Sequence, residues 1–324
     1  MNSTKQDQPK IRLVYLDGLR GLAALYVVLF HAYQECSDMG KISPQLKNAL
    51  RFIGEGEVAV SVFIVLSGYC LMLPVVQSGK DQIKGSLLDY LKRRSRRILP
   101  PYYAALILSL LLLALTLSWQ YFTGFHWEPL FINFQPGAIP SLEAILSHFL
   151  IIHNLNQDWA FAINGPMWSV ATEWQIYFLF PALLLPVYRR FGIILVVLIA
   201  FIIGLSPSYI LSGWSEYAAC PWFLGLFALG MAGASINFSK KASIIRWKKR
   251  IPWKLLTAIL WLGLIGKATI FPGSNQLDIS KSVSCLAGVA TASLIIYCTH
   301  SLTEGNPKQK PLILQLFESR YAIA

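Results

Sequence analysis

Apolar residues in this chain form long blocks that are separated by short polar connections. Most blocks approach the ~20 residues that a helix needs to cross the hydrocarbon core of a bilayer. Eight blocks stand out, at residues 13–33, 58–77, 98–118, 168–188, 191–207, 217–237, 252–272 and 280–302. The pattern predicts an all-α fold, a polytopic bundle of about eight transmembrane helices.

The composition supports a membrane domain. Hydrophobic residues make up 55% of the chain and charged residues only 14%, whereas a soluble domain carries roughly 25% charged residues. The first 12 residues are polar and lack the apolar core of a secretory signal. We therefore expect a cytoplasmic tail at residues 1–12 and one membrane domain at 13–324, in the inner or plasma membrane of the cell.

Basic residues predict the orientation of the bundle. Of the 28 lysines and arginines, 22 lie in the N-terminal tail, in every second connection and in the C-terminal tail. An excess of Lys and Arg marks the cytoplasmic side, so both termini are predicted to be cytoplasmic. This topology accounts for most of the net charge of +12, and the expected partner is the lipid bilayer rather than nucleic acid.

The longest connection, 119–167, is predicted on the outer side. Its apolar stretch at 141–154 is too short to span and indicates an interfacial or bundle-capping helix. The five cysteines are scattered without a CxxC pair, which predicts neither a disulfide framework nor a zinc site. The remaining histidines also lack metal-ligand spacing, so no metal is expected; they are His126, His148, His153 and His300.

The first apolar block carries two ionisable residues, Arg20 and His31, which are eleven positions apart. At 3.6 residues per turn both lie on one face of a helix, ~16 Å apart along its axis. Ionisable groups inside a membrane helix are costly and are candidates for function. The alternative is that Arg20 snorkels to the interface and that His31 is an interfacial residue.

Four arginines at the cytoplasmic mouth of the third block form a second candidate, in the stretch RRSRRILPPYY at 93–103. Arginine is well suited to bidentate phosphate binding. A plain positive-inside anchor is the alternative. The pair Pro100 and Pro101 predicts the point at which a loop becomes a helix.

Two further stretches hold polar residues within apolar blocks. Glu173 lies near the predicted depth of His31, so the two side chains could form a base and its orienting partner. A buried hydrogen bond between helices is the alternative for Glu173. Ser67 and Gly68, in FIVLSGYCLMLP, favour close helix packing.

Together these stretches resemble the acyltransferase-3 family of membrane O-acyltransferases. LDGLRGLAALYVVLFH is similar to the opening motif of the family, and FIVLSGY to its second-span motif, with Tyr69 where phenylalanine is commoner. RRSRRILPPYY resembles the arginine-rich loop; the register Arg94-x-x-Arg97 fits best, and Arg93-x-x-Arg96 is possible. WSVATEWQIYFLFP and FALGMAGA resemble later segments. The order and spacing of the motifs over residues 11 to about 237 make the resemblance specific.

The resemblance implies transfer of an acyl group, often acetyl, from cytoplasmic acyl-CoA to a hydroxyl of a carbohydrate or another envelope molecule, with no bound cofactor. It implies catalytic roles for His31 and Glu173, with His31 as general base or as acyl carrier. It implies donor binding by Arg20, Arg94 and Arg97. The supporting residues would be Ser67, Tyr102, Trp168, Ser169 and Tyr177.

The chain departs from the family at its C-terminal end. Members usually have about ten spans in this domain, and we count eight, so the last spans are expected to be missing. An inactive truncated remnant, or a non-enzymatic binding or sensing protein, is therefore one alternative. A transporter or flippase is another, because it also lines a path with charged residues, although repeated halves with broken helices are not found in the sequence.

Overall fold

The computed structural model describes residues 13–38, 43–79, 81–125, 139–207, 216–270, 276–304, 310–319 and 322. Within these ranges the secondary structure is helical and no strand occurs, which confirms the all-α prediction. The helices are α1 (Tyr15–Asp38), α2 (Pro44–Ala49), α3 (Glu57–Gln77), α4 (Leu87–Thr123), α5 (Leu142–Phe149), α6 (Gln157–Ala160), α7 (Met167–Leu179), α8 (Leu185–Phe191), α9 (Ile193–Leu205), α10 (Glu216–Ala219), α11 (Phe223–Phe238), α12 (Ala242–Arg250), α13 (Trp253–Ile270), α14 (Gln276–Glu304) and α15 (Leu312–Phe317).

Several of these helices are long and apolar enough to cross a membrane. In the described part of the chain there are four: α3, α4, the continuous stretch Met167–Phe191, and Ser280–Glu304. Helices α12 and α13 meet at a bend of 63° and together would add a fifth. Helices α9 and α11 are apolar but shorter, and α1 contains charged residues such as Asp17, Arg20 and Glu35. The count of eight spans therefore stays a prediction.

Helix α3 lies at the centre of the bundle and packs against α1, α11 and α14. Its contact with α11 is a close backbone approach at two glycines. A Cβ atom on Gly68 would lie 2.0 Å from the carbonyl oxygen of Phe227, and one on Gly230 would lie 2.0 Å from that of Val65. Small residues allow membrane helices to pack this closely, so the α3–α11 crossing depends on glycine at both positions.

A buried hydrogen-bond network joins the four central helices. The hydroxyls of Tyr15 and Tyr69 lie 2.6 Å and 2.9 Å from Oγ1 of Thr299. The side-chain amide of Asn237 donates to the Tyr69 hydroxyl at 3.2 Å. Buried polar groups in an apolar bundle need such partners, and this network fixes α1, α3, α11 and α14 relative to one another.

The segments rich in Lys and Arg meet at the same end of the bundle as this network. Lys248 forms an ion pair with Glu304 at 2.6 Å, at the C-terminal end of α14. Arg189 donates from Nε to the carbonyl of Asp81 at 2.7 Å, just beyond the C-terminal end of α3. We call this the basic end. Its location on the cytoplasmic side stays a prediction.

Helix α4 begins earlier than the sequence indicated. Ser86 and Asp89 form a reciprocal capping box, with the Asp89 amide 3.1 Å from Oγ of Ser86 and the Ser86 amide 3.0 Å from Oδ2 of Asp89. This cap satisfies the first amides of the helix, which then runs through Pro100 and Pro101 to Thr123. The prediction that the two prolines mark the start of a helix was wrong.

The connection after α4 packs against that helix through a pair of histidines. Residues 142–149 are helical, as predicted for this stretch, but the chain then turns at Ile151, which has a positive φ of 58°. The rings of His148 and His153 stack in parallel at 3.9 Å and are fully buried. The Tyr102 hydroxyl donates to the His148 carbonyl at 2.8 Å. His126 lies outside the described residues.

The stacked histidines predict loss of stability in acid. Burial lowers the pKa of both imidazoles, and the neighbouring His148 lowers that of His153 further, to about 3. The unfolded chain takes up a proton near the ordinary histidine pKa of ~6.5. The free energy of unfolding should therefore fall as the pH drops from ~6.5 towards 3. Thermal unfolding in detergent between pH 7.5 and pH 4.5 measures this, and His153→Gln should flatten the dependence; an identical slope in the variant would contradict the assignment.

The close contact at Gly68 predicts that even one added methyl group destabilises the fold. Gly68→Ala should lower the free energy of unfolding by about 1–3 kcal/mol or more, because the new methyl overlaps backbone that cannot rotate away. Gly263→Ala in α13 is the matched control, since no atom lies within 4 Å of its added Cβ. Thermal unfolding of the two purified variants would be compared, and equal midpoints would show that the crossing is less tight than described.

Candidate functional site

A proline shapes the helix that carries Glu173. Pro181 has no N–H to donate to the carbonyl of Tyr177, four residues earlier. A π turn at Phe180–Leu184 joins α7 to α8 at this point. The Tyr90 hydroxyl of α4 donates to the Tyr177 carbonyl at 3.0 Å. The Tyr90 side chain of α4 thus holds the interrupted helix, and this contact fixes the position of Tyr177.

The carboxylate of Glu173 accepts two hydrogen bonds at one oxygen. Ser67 of α3 donates to Oε1 at 2.5 Å, and Tyr177, one turn along α7, donates to the same atom at 2.6 Å. Ser67 and Tyr177 are buried, whereas Glu173 is partly exposed. The structure therefore brings three residues of the sequence prediction together. The bond from Ser67 is also the interhelical hydrogen bond that the sequence left as the alternative for Glu173.

The arginine-rich stretch contributes one side chain to this group. The guanidinium of Arg94 lies over the Tyr177 ring, 5.9 Å from its centroid. Arg93, Arg96 and Arg97 are exposed. Of the two possible registers, only Arg94 is partly buried against the cluster, and the pairing of Arg94 with Arg97 stays a prediction. We call Ser67, Glu173, Tyr177 and Arg94 the Glu173 cluster.

Arg20 reaches the same face of α3, one turn closer to the basic end. Its Nη2 lies 3.0 Å from the sulfur of Cys70, and its Nη1 forms an ion pair with Asp17 at 3.0 Å. Ser67 and Cys70 are three residues apart, so their side chains are neighbours on the helix surface. Arg20 of α1 and Glu173 of α7 therefore contact the same face of α3.

The face of α3 that carries Ser67 and Cys70 is also the partly exposed face of this helix. Between residues 58 and 72 the partly exposed positions are Val60, Phe63 and Cys70, which share one face with Ser67. On α7, Glu173 and Tyr177 continue a polar row that begins one turn earlier at Ser169. Because helical residues four apart lie one above another, the arrangement is a polar row on α7 beside an accessible row on α3.

His31 lies at the opposite end of α1 from the Glu173 cluster. The preceding Phe30 packs where a Cβ of Gly56 would lie, at the start of α3, and its ring is 4.8 Å from that of His31. Within the described residues we find no hydrogen bond to His31, and none that links it to Glu173. The pairing of these two residues as base and orienting partner stays a prediction.

The other predicted supporting residues lie outside the cluster. Ser169 donates to the carbonyl of Pro166 at 3.0 Å, within its own turn. Trp168 packs against Phe223, with ring centroids 6.0 Å apart. Tyr102 holds the stacked histidines described above. No group of three or more His, Cys, Asp or Glu side chains is placed for a shared metal ion in the part of the chain that the structure describes.

Three polar contacts were not predicted from the sequence. Cys70 meets Arg20, and Tyr90 supports Tyr177, as described above. Glu57, at the end of α3 near Phe30, accepts hydrogen bonds from the hydroxyls of Ser280 and Ser284 on α14, the latter at 2.8 Å. A charged residue at the very start of an apolar block was a signal for Glu57, but its partners lie more than 200 positions away.

Comparison with known proteins identifies a protein family and several named relatives. A family model described as an acyltransferase domain, Acyl_transf_3, matches residues 13–317. The chain is 29% identical over 173 residues to the peptidoglycan O-acetyltransferase OatA of Listeria monocytogenes, covering 52% of this chain and 24% of the relative. It is 28% identical over 178 residues to the O-acetyltransferase OatA of Staphylococcus aureus, covering 54% and 25%. No solved structure matches.

A third relative is the putative peptidoglycan O-acetyltransferase YrhL of Bacillus subtilis, which is 30% identical over 172 residues. That alignment covers 52% of this chain and 23% of the relative. The chain thus spans about a quarter of the length of the curated relatives it matches. The family match, in contrast, extends over almost all described helices. The chain therefore belongs to the acyltransferase-3 family of membrane acyltransferases.

Proposed function

We propose that this chain transfers an acyl group, acetyl in the first instance, from cytoplasmic acyl-CoA to a hydroxyl of a cell-envelope glycan. The names of the relatives support acetyl as the group and peptidoglycan as the class of acceptor. The observation that carries the proposal is the Glu173 cluster, in which Ser67 and Tyr177 donate to the Glu173 carboxylate and Arg94 lies over the ring of the same tyrosine.

The donor would enter from the basic end. Its phosphates would meet Arg94 and Arg97, since guanidinium groups bind phosphate oxygens in a bidentate manner. Arg96 and Arg97 also have carbonyls that lose their helical donors to Pro100 and Pro101. The long, uncharged arm of the donor would extend along the accessible row of α3, past Arg20. The thioester would thereby reach the interior of the bundle.

Glu173 would position either the acceptor hydroxyl or the imidazole of His31 by accepting a hydrogen bond. Both of its described hydrogen bonds reach Oε1, and none reaches Oε2 within the described residues. Oε2 is thus the oxygen that would accept a hydrogen bond from the acceptor hydroxyl or from His31. Ser67 and Tyr177 would act as positioning residues, because they hold the carboxylate without touching substrate.

His31 would carry out the transfer by one of two routes. As a general base it would take the proton of the acceptor hydroxyl while the oxygen attacks the thioester carbonyl; the new C–O bond replaces the C–S bond, and the imidazolium returns this proton to the leaving CoA thiolate. As an acyl carrier its ring nitrogen would attack first, release CoA and then pass the acyl group to the hydroxyl. Both routes consume acyl-CoA.

Removal of the imidazole should abolish transfer. We expect purified, detergent-solubilised wild-type chain to turn over acetyl-CoA with a mixed peptidoglycan-fragment pool, and His31→Ala to lose at least ~10²-fold of this rate. His300→Ala is the matched control and should keep its turnover, since that histidine contacts Glu304 at the basic end. Unchanged turnover in His31→Ala would exclude the proposed role.

The same assay separates the alternatives. Turnover by the wild type supports the enzyme and shows that this chain suffices for transfer. Donor binding without turnover, for every acceptor in the pool, would favour a truncated remnant. Absence of donor binding would favour a transporter, which has no need for acyl-CoA.

Loss of one hydrogen bond to Glu173 should slow the reaction more than it weakens donor binding. Tyr177→Phe keeps the ring under Arg94 but removes a charge-assisted hydrogen bond worth ~1.5–3 kcal/mol, so kcat should fall about 10- to 100-fold. The KM for acetyl-CoA should change little, whereas Arg94→Gln should raise it. Tyr121→Phe is the matched control because Tyr121 is 84% exposed on α4. A larger effect of Tyr177→Phe on KM than on kcat would contradict the positioning role.

A further inference from the structure

An apolar cavity lies between α1 and α13. It measures about 810 Å³ and is enclosed by α1, α3, α13, α14 and α15. Its size falls within the roughly 300–1,000 Å³ of typical ligand sites. Two turns of α1, from Leu19 to Tyr26, and the facing turns of α13 form its walls.

Two hydroxyls of the cavity wall are hydrogen-bonded within the protein, and Nε1 of Trp261 is buried without a hydrogen-bond partner among the described residues. Oγ1 of Thr257 is hydrogen-bonded to Oγ of Ser293 at 3.2 Å. The Tyr26 hydroxyl donates to the carbonyl of Phe52. Apart from this single indole N–H, the lining is mainly apolar, which fits a hydrocarbon chain better than a sugar or a nucleotide with many polar groups.

The cavity opens toward the surface that would face lipid. Leu312, in its wall, is 83% exposed. On α13 the neighbouring Leu255, Ile259 and Leu262 are exposed as well. A row of exposed leucine and isoleucine is normal where a helix borders the bilayer, so a lipid chain could enter the cavity laterally without crossing water.

One charge lies at the entrance. Lys254, in the first turn of α13, lines the cavity and is exposed. Among the described residues it has no ion-pair partner, in contrast to Lys248, which is paired with Glu304. Lys249 and Arg250 precede it at the end of α12, so the entrance carries positive charge at the basic end. An anionic headgroup is the complement of this charge.

We propose that this cavity is a binding site for an anionic glycerophospholipid of the bilayer. One acyl chain would occupy the cavity between α1 and α13, and the phosphate would lie against the ammonium of Lys254. The site is separate from the Glu173 cluster, and the inference does not depend on acyl transfer. It assigns a structural lipid to the junction of α1, α13 and α15.

Native mass spectrometry of the full chain in non-ionic detergent tests the site, with dioleoylphosphatidylglycerol and dioleoylphosphatidylcholine as probes. The acyl chains are identical, so any preference reports on the headgroup. We expect one retained phosphatidylglycerol per chain and about a fivefold preference over phosphatidylcholine. Lys254→Gln should abolish the preference, and Lys267→Gln, a lysine of the same helix outside the cavity wall, should preserve it.

A second pair of variants tests the cavity itself. Ala258→Phe fills the space between the walls and should reduce the retention of both lipids. Ile259→Phe, at the neighbouring exposed position, should leave retention unchanged. Equal retention of the two lipids by the wild type, no effect of Lys254→Gln, or no effect of Ala258→Phe would each show only non-specific annular lipid and overturn the proposal. Displacement of the lipid by palmitoyl-CoA would overturn it in favour of a donor chain.

Discussion

The closeness of α3 and α11 is the constraint on which the rest of the arrangement depends. Two glycines, Gly68 and Gly230, let the backbones approach until a methyl group would strike a carbonyl oxygen. Lipid offers no hydrophobic drive for helix association, so dense packing of this kind must supply it. Because Ser67 precedes Gly68, the same crossing fixes the hydroxyl that donates to Glu173. The close contact thus connects stability with the geometry of the site.

Two charged groups inside the bundle, Glu173 and Arg20, face polar neighbours. Glu173 has two hydroxyl donors, and Arg20 has an aspartate and a thiol. Arg94 differs, because its buried Nε has no hydrogen-bond partner among the described residues and its guanidinium lies over the Tyr177 ring. A buried guanidinium N–H without a partner, within the arginine-rich turns of α4, is the feature expected of a site that receives an anionic ligand.

The sequence predicted what depends on periodicity and could not predict what depends on contacts between distant helices. The apolar blocks placed most of the helices, and the arginine-rich motif included Arg94, which lies over Tyr177, whereas Arg97 of the same motif is exposed. The Ser67–Glu173 bond joins positions 106 apart, which no local pattern encodes. Pro100 and Pro101 were misread because a strong cap at Ser86 extends the helix upstream, and a helix beside other helices tolerates internal prolines.

The distance between the Glu173 cluster and His31, the predicted base, constrains the proposed chemistry. Arg20 meets α3 one turn from the Glu173 cluster, while His31 lies ~16 Å further along α1. One small molecule cannot contact both the basic end and His31, but a donor with a charged head and a thin flexible arm can. An elongated thioester fits this separation, since its phosphates and its reacting carbonyl are far apart. The open row of α3 would then guide the arm, and the glycan would approach from the end of the bundle at which Phe30 packs against Gly56.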